Sequence, residues 1–293
     1  MERKTEQVVT RNLEANLPTD NLDEMEFIAF DLETTGLNPI VSRIVEIGAL
    51  RFRADGTIID QFEQLVDPQC PIPPEVTRIH GITDQMVAGK PTIEEVLPQF
   101  IEFIGEPNAL MLAHNAGFDM SFLAMAIRRL GMPTPEHPVL DTVKLSRRRQ
   151  ELKNHKLETI GRHLDLIDAE EHRAMADTIL LKDVFLYLLQ NPFPIPDKDE
   201  LFQLAPPLYF EQFAKVLDDP PSGHEPLWEA IAQQQALIIV YSGGSNPDQA
   251  RTITPKSVAM SRGVVYLYAY CHQDEMEKTF RLDRIVSYRQ NDN

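Results

Sequence analysis

Only two cysteines, Cys70 and Cys271, occur in 293 residues, far apart and with no C-x-x-C partner. That excludes a cysteine-ligated zinc site and a disulfide framework, and two reduced thiols fit a cytoplasmic protein. No apolar run approaches the ~20 residues of a membrane helix. The opening MERKTEQVVT lacks the apolar stretch of a secretory signal, so a soluble, cytoplasmic chain without membrane contact is expected. Positive charge is also scarce. Lys and Arg number 28 against 45 Asp and Glu, a formal net charge of −17. A surface that coats nucleic acid non-specifically is therefore excluded. A nuclease is not, because bound metal cations supply positive charge inside the site itself. The imbalance is uneven: residues 233–293 carry +1, the least acidic stretch of the chain. Tandem repeats and low-complexity tracts are lacking as well.

The organisation that is present divides the chain into four stretches. Residues 1–24 are polar, without sustained periodicity, and are expected to be a flexible leader. From Phe27 the pattern changes. FIAFDLE is apolar on both faces until it reaches its acids, as in a central strand. IVEIGALRFR (44–53) and TIIDQFEQLV (57–66) flank ADG and predict a hairpin. CPIPPEV and RIHGIT are expected to be irregular. TIEEVLPQFIEFIG (92–105) has helical spacing, with Pro98 as a point of kinking. ALMLAHN and VLDT read as short strands, and 118–132, 157–164 and 176–190 as helices. The order predicts an α/β layer fold with a mixed sheet over 25–190. Residues 191–232, acidic and rich in proline, read as a linker with short helices. Beyond it, 233–293 is strand-rich with alternating β-branched and aromatic residues, which suits a small antiparallel barrel.

Chemistry concentrates in three short strings. In FDLETTG (30–36), Asp31 and Glu33 stand two apart on a strand and so share one face. Two carboxylates there repel each other unless a cation lies between them, and magnesium takes such oxygen ligands together with phosphate oxygens. Taken alone, the pair also fits solvated acids at a sheet end. HNAGFDMSFL (114–123) places Asp119 at the start of a helix, where the dipole alone would favour it. HRAMADT (172–178) places Asp177 in the first turn of an apolar helix and His172 in the loop leading into it. The ordinary pKa of histidine suits proton abstraction from water.

Taken together, in this order and spacing, the strings resemble the three exonuclease motifs of the DEDDh (DnaQ-like) 3′→5′ exonuclease family. RIHGIT (78–83) and LDTVKLSRR (140–148) extend the likeness, which covers roughly residues 25–190. The resemblance implies an RNase H-like fold with a mixed five-stranded sheet flanked by helices. It implies that Asp31, Glu33, Asp119 and Asp177 ligate two Mg²⁺ or Mn²⁺ ions and that His172 is the general base. A sister branch carries tyrosine four residues before the last acid. Arg173 stands there, so the histidine type fits. Thr34, Thr35 and Leu37 would line the terminal-nucleotide pocket, with His80, Asn115 and Phe118 facing the same cleft. The expected substrates are DNA or RNA 3′ ends in single-stranded form, since a terminal nucleotide must fray to enter such a cleft. A polymerase or repair partner is a further expectation.

The last segment resembles a WYL domain, a small Sm/SH3-like β module, through Tyr241, RTITPKSVAMSRGVVYLYAYC and FRLDRI. Val265-Tyr266-Leu267 stands in place of the name motif. The resemblance implies a nucleotide- or single-stranded nucleic-acid-sensing role, with Arg251, His272, Arg281 and Arg284 as phosphate contacts. Tyr241, Tyr266 and Tyr268 would stack bases. Scaffold roles compete with this: the arginines can pair with Asp283 or Glu277, and alternating tyrosines are often core. A regulatory nucleic-acid-binding protein built on an inactive nuclease fold is the alternative for the whole chain. The intact set of four acids and one histidine speaks against it.

Overall fold

The computed structural model describes residues 17–40, 42–167, 172–213, 221–243, 249–261 and 264–290. Residues 1–16 of the expected leader lie outside these. Its remainder docks on the fold: Leu17 and Leu22 are buried in the core.

The organising element is β1 (Glu26–Thr34). Its antiparallel partner β2 (Ile44–Arg53) continues through a tight turn into β3 (Ile58–Leu65), as the ADG punctuation predicts. On its other side β1 pairs in parallel with β4 (Leu110–Ala113), which pairs with β5 (Val139–Asp141). The mixed sheet therefore runs β3-β2-β1-β4-β5. Alternation along β1 assigns its two faces. Ile28, Phe30 and Leu32 enter a core with α3 (Ile93–Ile104) and α4 (Gly117–Arg129). Phe27 and Ala29 enter a second core, with α7 (Ala174–Gln190) above them. α5 (Thr142–Arg149) and α6 (Leu157–His163) complete that layer.

The stretch expected to be irregular contains a helix instead, α1 (Pro74–His80), and the single turn α2 (Asp84–Val87) follows directly after it. Proline at the first helical position has no N–H to leave unpaired and a φ already suited to the helix, so the prolines start α1 rather than prevent it. Gly81, at φ 73°, ends it in the left-handed conformation.

The described residues of 191–232 are shared between the two halves of the molecule. Ile195 and α8 (Lys198–Leu204) pack on the α7 side of the sheet, and Leu208 forms a bridge to Val139. α9 (Glu225–Gln233) instead covers the C-terminal sheet with Leu227 and Ala230. That sheet is antiparallel, in the order β10 (Ile285–Gln290), β6 (Leu237–Tyr241), β7 (Ala250–Ser261), β8 (Val264–Cys271), β9 (Met276–Arg281). The edge strands β9 and β10 are consecutive in the chain, joined only by the turn Leu282–Arg284. Four strand spacings of ~4.8 Å exceed what so short a link spans, so the sheet must curl toward a barrel. Among the described residues no helix is long and apolar enough to cross a membrane.

Candidate metal centre and active site

β1 outruns its parallel partner. The β1–β4 register ends at Ala29↔Leu112, while β1 continues to Thr34 against β2. Its last residues therefore overhang a crevice at the carboxyl end of the sheet, the usual place for a site in an open α/β sheet. Asp31 and Glu33 continue the face that holds Phe27 and Ala29, so they point toward α7. The helix runs back along the strand. Its Phe185 ring packs 5.0 Å from that of Phe27. Asp177 is eight residues earlier, ~12 Å along a helix, and Asp31 is four residues later, ~13 Å along a strand. The two periodicities thus deliver Asp177 to Asp31 and Glu33. One carboxylate oxygen from each of the three lies within 4.8 Å of the others. Asp119 arrives from the opposite layer, in the first turn of α4, and is only 2% exposed.

Electrostatics set this cluster apart from a solvated acidic patch. Burial, then repulsion from Asp119, Glu33, Asp177 and Glu46, holds Asp31 well above the usual carboxylate range. Burial and the neighbouring acids push Glu33 up to about 8. Burial also takes Asp119 to about 8, against hydrogen bonds from its own backbone and that of Leu32. Asp177 is raised by burial, with His172 pulling it back down. Hard oxygen donors, buried together and repelling one another, fit divalent cations: a cation removes the repulsion and takes up the lone pairs.

Three further residues, not singled out from the sequence, aim α7. Glu46 is fully buried and faces Glu33 across the β1–β2 pair. Its carboxylate accepts from the Ala174 backbone N–H at 2.9 Å and from Arg173 Nε at 3.0 and 3.1 Å. It thereby satisfies an otherwise orphaned N–H at the helix start. Two residues on, Gly48 leaves room for the helix backbone itself: a Cβ there would stand 2.5–2.6 Å from Ala174 and Met175. Thr178 Oγ1 donates to the Gly48 carbonyl at 3.1 Å and closes the contact. The signals were present in IVEIGAL: a charge inside a buried strand and a strand-interior glycine, which marks close backbone approach. His172, in the lead into α7, has a positive φ of 36°.

Around the acids the predicted pocket residues take different positions. Leu37 is 86% exposed at the lip of the crevice. Asn115 is exposed, at φ 66°, and its N–H donates to Asp141 Oδ1 at 3.1 Å. Phe118 is half-buried with its ring 4.9 Å from that of Phe122. Thr34 and Thr35 are buried and their hydroxyls serve the loop. Thr34 Oγ1 donates to the Gly36 carbonyl at 2.7 Å, and Thr35 Oγ1 accepts from the Arg43 N–H at 2.9 Å. His80 is 3% exposed. Its Nδ1 accepts from the Ile82 N–H at 3.0 Å, while Nε2 is buried with no partner of good geometry. Burial pushes its pKa down, opposed by the nearby Thr34 backbone and Glu46.

Among the C-terminal candidates, Tyr266 is the cross-strand partner of Arg281, and Tyr241 and Arg284 both lie beside Gly243. Arg251 pairs with Asp274 at 3.3 Å, and Arg281 with Asp283 at 2.6 Å. His272 Nε2 meets Thr254 Oγ1 at 2.9 Å, and Arg284 is exposed. Tyr241 stacks edge-on to Phe280 and accepts from the Arg281 N–H at 3.3 Å. Tyr266 packs on Ile40 and Met125 of the first domain.

Residues 28–185 match the family model described as Exonuclease, and residues 224–290 that described as WYL domain. The DNA polymerase III PolC-type of Caldanaerobacter subterraneus subsp. tengcongensis is 42% identical over 185 residues, 63% of this chain and 12% of that protein. The same polymerase of Clostridium perfringens is 43% identical over 153 residues, 52% of this chain and 10% of that protein. The chain thus spans about a tenth of these relatives' length. Among solved structures, E. coli exonuclease I in complex with a dA16 oligonucleotide superposes with a TM-score of 0.54 at 15% identity, covering 84% of this chain and 55% of that one. A 3′-exonuclease described in 3′-end specific recognition of a histone mRNA stem-loop gives 0.52 at 20% identity, covering 61% and 86%. At these identities the likeness is one of fold. Because the family model spans more than half of the chain and every acid of the site, the chain belongs to the DnaQ-like family of 3′→5′ exonucleases.

Proposed function

We propose that the protein removes nucleotides singly from the 3′ ends of single-stranded DNA or RNA, with Asp31, Glu33, Asp119 and Asp177 holding two Mg²⁺ or Mn²⁺ ions and His172 as general base. The observation that carries this reading is the convergence of three carboxylates from β1 and α7 within 4.8 Å, with buried Asp119 beside them. Cations held by these four carboxylates would neutralise the scissile phosphate and make the attacking water more acidic. The chain's own residues do the rest. The overhanging end of β1 and the start of α7 form a rigid cradle, so the acids need no reorganisation when substrate enters. His172 acts on Asp177 electrostatically and so stands close to the cluster, where it takes the proton of the attacking water. Leu37, free at the lip, presses against the terminal base, and Phe118 and Asn115 border the opposite side. Thr34 and Thr35 shape the loop that presents Leu37, and the buried His80 backs it. For the C-terminal module we propose a nucleotide- or nucleic-acid-sensing role through Tyr241, Arg251, Tyr266, His272, Arg281 and Arg284. The polymerase relatives support a replication or repair partner.

The test is digestion of 5′-labelled single-stranded DNA and RNA with Mg²⁺, Mn²⁺ or EDTA. The expected result is a ladder shortening from the 3′ end, lost in EDTA and in His172→Ala. Absence of cation-dependent shortening on either substrate refutes the reading.

A further inference from the structure

The loop that follows the first pair of acids, from Gly36 to Arg43, is held from outside its own domain. In β8, period-2 alternation sends Leu267, Ala269 and Cys271 into the module's core and Tyr266 and Tyr268 to the opposite face, against the exonuclease domain. Tyr268 is 7% exposed there. Its hydroxyl accepts from Arg43 Nη2 at 3.0 Å, and the Arg129 guanidinium lies 4.5 Å from its ring centre. On the neighbouring strand, Thr279 Oγ1 donates to the Ile40 carbonyl at 3.0 Å, and Arg129 Nη2 donates to the same oxygen at 2.7 Å. Arg43 continues the chain of contacts inward. Its N–H donates to Thr35 Oγ1, and its carbonyl accepts from the Thr35 N–H at 2.8 Å. Thr35 is two residues from Glu33. One end of the connection is therefore the C-terminal module and the other is the pocket.

We infer that the C-terminal module sets the shape of the terminal-nucleotide pocket, with Tyr268 and Thr279 as positioning residues for the exonuclease reaction. The inference rests on the reading above that Leu37 and its loop receive the terminal nucleotide. Leu37 itself is free, so its placement depends on how the loop is anchored at Ile40 and Arg43. Both anchors receive a hydrogen-bonding partner from β8 or β9, and neither partner touches the acids. The module therefore acts on how well the 3′ end is held and leaves the hydrolytic step itself alone.

The test uses the full chain and steady-state kinetics on a single-stranded 3′-ended oligonucleotide. Tyr268→Phe keeps the ring between Arg43 and Arg129 and removes only the hydroxyl, and Thr279→Val removes only the donor to Ile40. Together they are expected to raise KM by about three- to tenfold, the equivalent of one or two lost hydrogen bonds, with kcat within about twofold. In a Leu37→Ala background the same pair is expected to change KM little, because both substitutions act through the placement of the one side chain already removed. An unchanged KM in the Tyr268→Phe, Thr279→Val protein, while Leu37→Ala alone raises it, overturns the inference and leaves the pocket reading standing. A fall in kcat at constant KM, or a lower Tm with unaltered kinetics, also overturns it. If Leu37→Ala leaves KM unchanged, the pocket reading fails and takes the inference with it.

Discussion

At the scale of single residues the decisive fact is a set of carboxylates that the fold holds in a costly state. Glu33 and Asp119 are both raised to about 8 by burial first, so in the folded protein they keep their protons where an unfolded chain has lost them. A raised carboxylate pKa means the stabilisation is complete below the unfolded value near 4 and is lost as pH rises through the folded value. The cation-free protein in EDTA should therefore lose Tm progressively from about pH 4 to about pH 8. Since cations compete with those protons, the Tm gain on adding Mn²⁺ should grow across the same window. Differential scanning fluorimetry at several pH values checks this, and a gain independent of pH contradicts it. For Asp31 the same logic gives a paired outcome. Asp31→Asn should lower kcat by about 10²–10³-fold or more, yet raise the Tm of the EDTA-treated protein by about 2–4 °C, because the amide escapes the cost of either taking up a proton or burying a charge on folding. A drop in both would mean that Asp31 is chiefly structural.

At the scale of elements, α7 decides whether the residues become a site. Its apolar face packs on β1 and β2, but its start is aimed by Glu46 and Gly48. Gly48→Ala forces a methyl into the Ala174–Met175 backbone. It should cost about 1–3 kcal/mol by overpacking and, by displacing Asp177 ~1 Å, about a hundredfold in activity. Denaturant unfolding and the ladder assay measure the two separately, and unaltered activity would show that α7 does not position Asp177. Glu46→Gln should destabilise by about 1–3 kcal/mol, at the low end because Arg173 is about one-third exposed and its side of the pair is screened. At this scale much was legible in advance. The hairpin over 44–66 and helices near 118–132, 157–164 and 176–190 follow from periodicity. α1 was missed because the same prolines that break a helix interior start a helix when they fall at its first position.

At the scale of the whole molecule, the proposed function asks a chain of net charge −17 to bind an anionic substrate. The attraction must then be local, through cations in the cluster, and not spread over a basic surface. Binding of single-stranded DNA by His172→Ala in Ca²⁺ should fall with log salt at a slope of magnitude below about 3, against about 4–7 for a protein that neutralises roughly six to ten phosphates of a single strand. Fluorescence anisotropy at several salt concentrations reads the slope, and a value beyond about 4 would reveal a basic track elsewhere on the chain. The two halves also meet: Tyr266 and Tyr268, read from sequence as base-stacking or core residues, face the first domain. Sequence alternation identified their common face but not what lies against it.

The amino-acid order by itself determined most of the elements and the two faces of β1, because strand and helix periods are local properties, and its resemblance to a known family implied the four acids and the histidine. Tertiary structure alone decided that Asp177 returns to Asp31 and Glu33, that Glu46 and Gly48 aim α7, and that Tyr268 reaches Arg43. These contacts join residues 125 or more positions apart, and no local period encodes which distant backbone a side chain will meet.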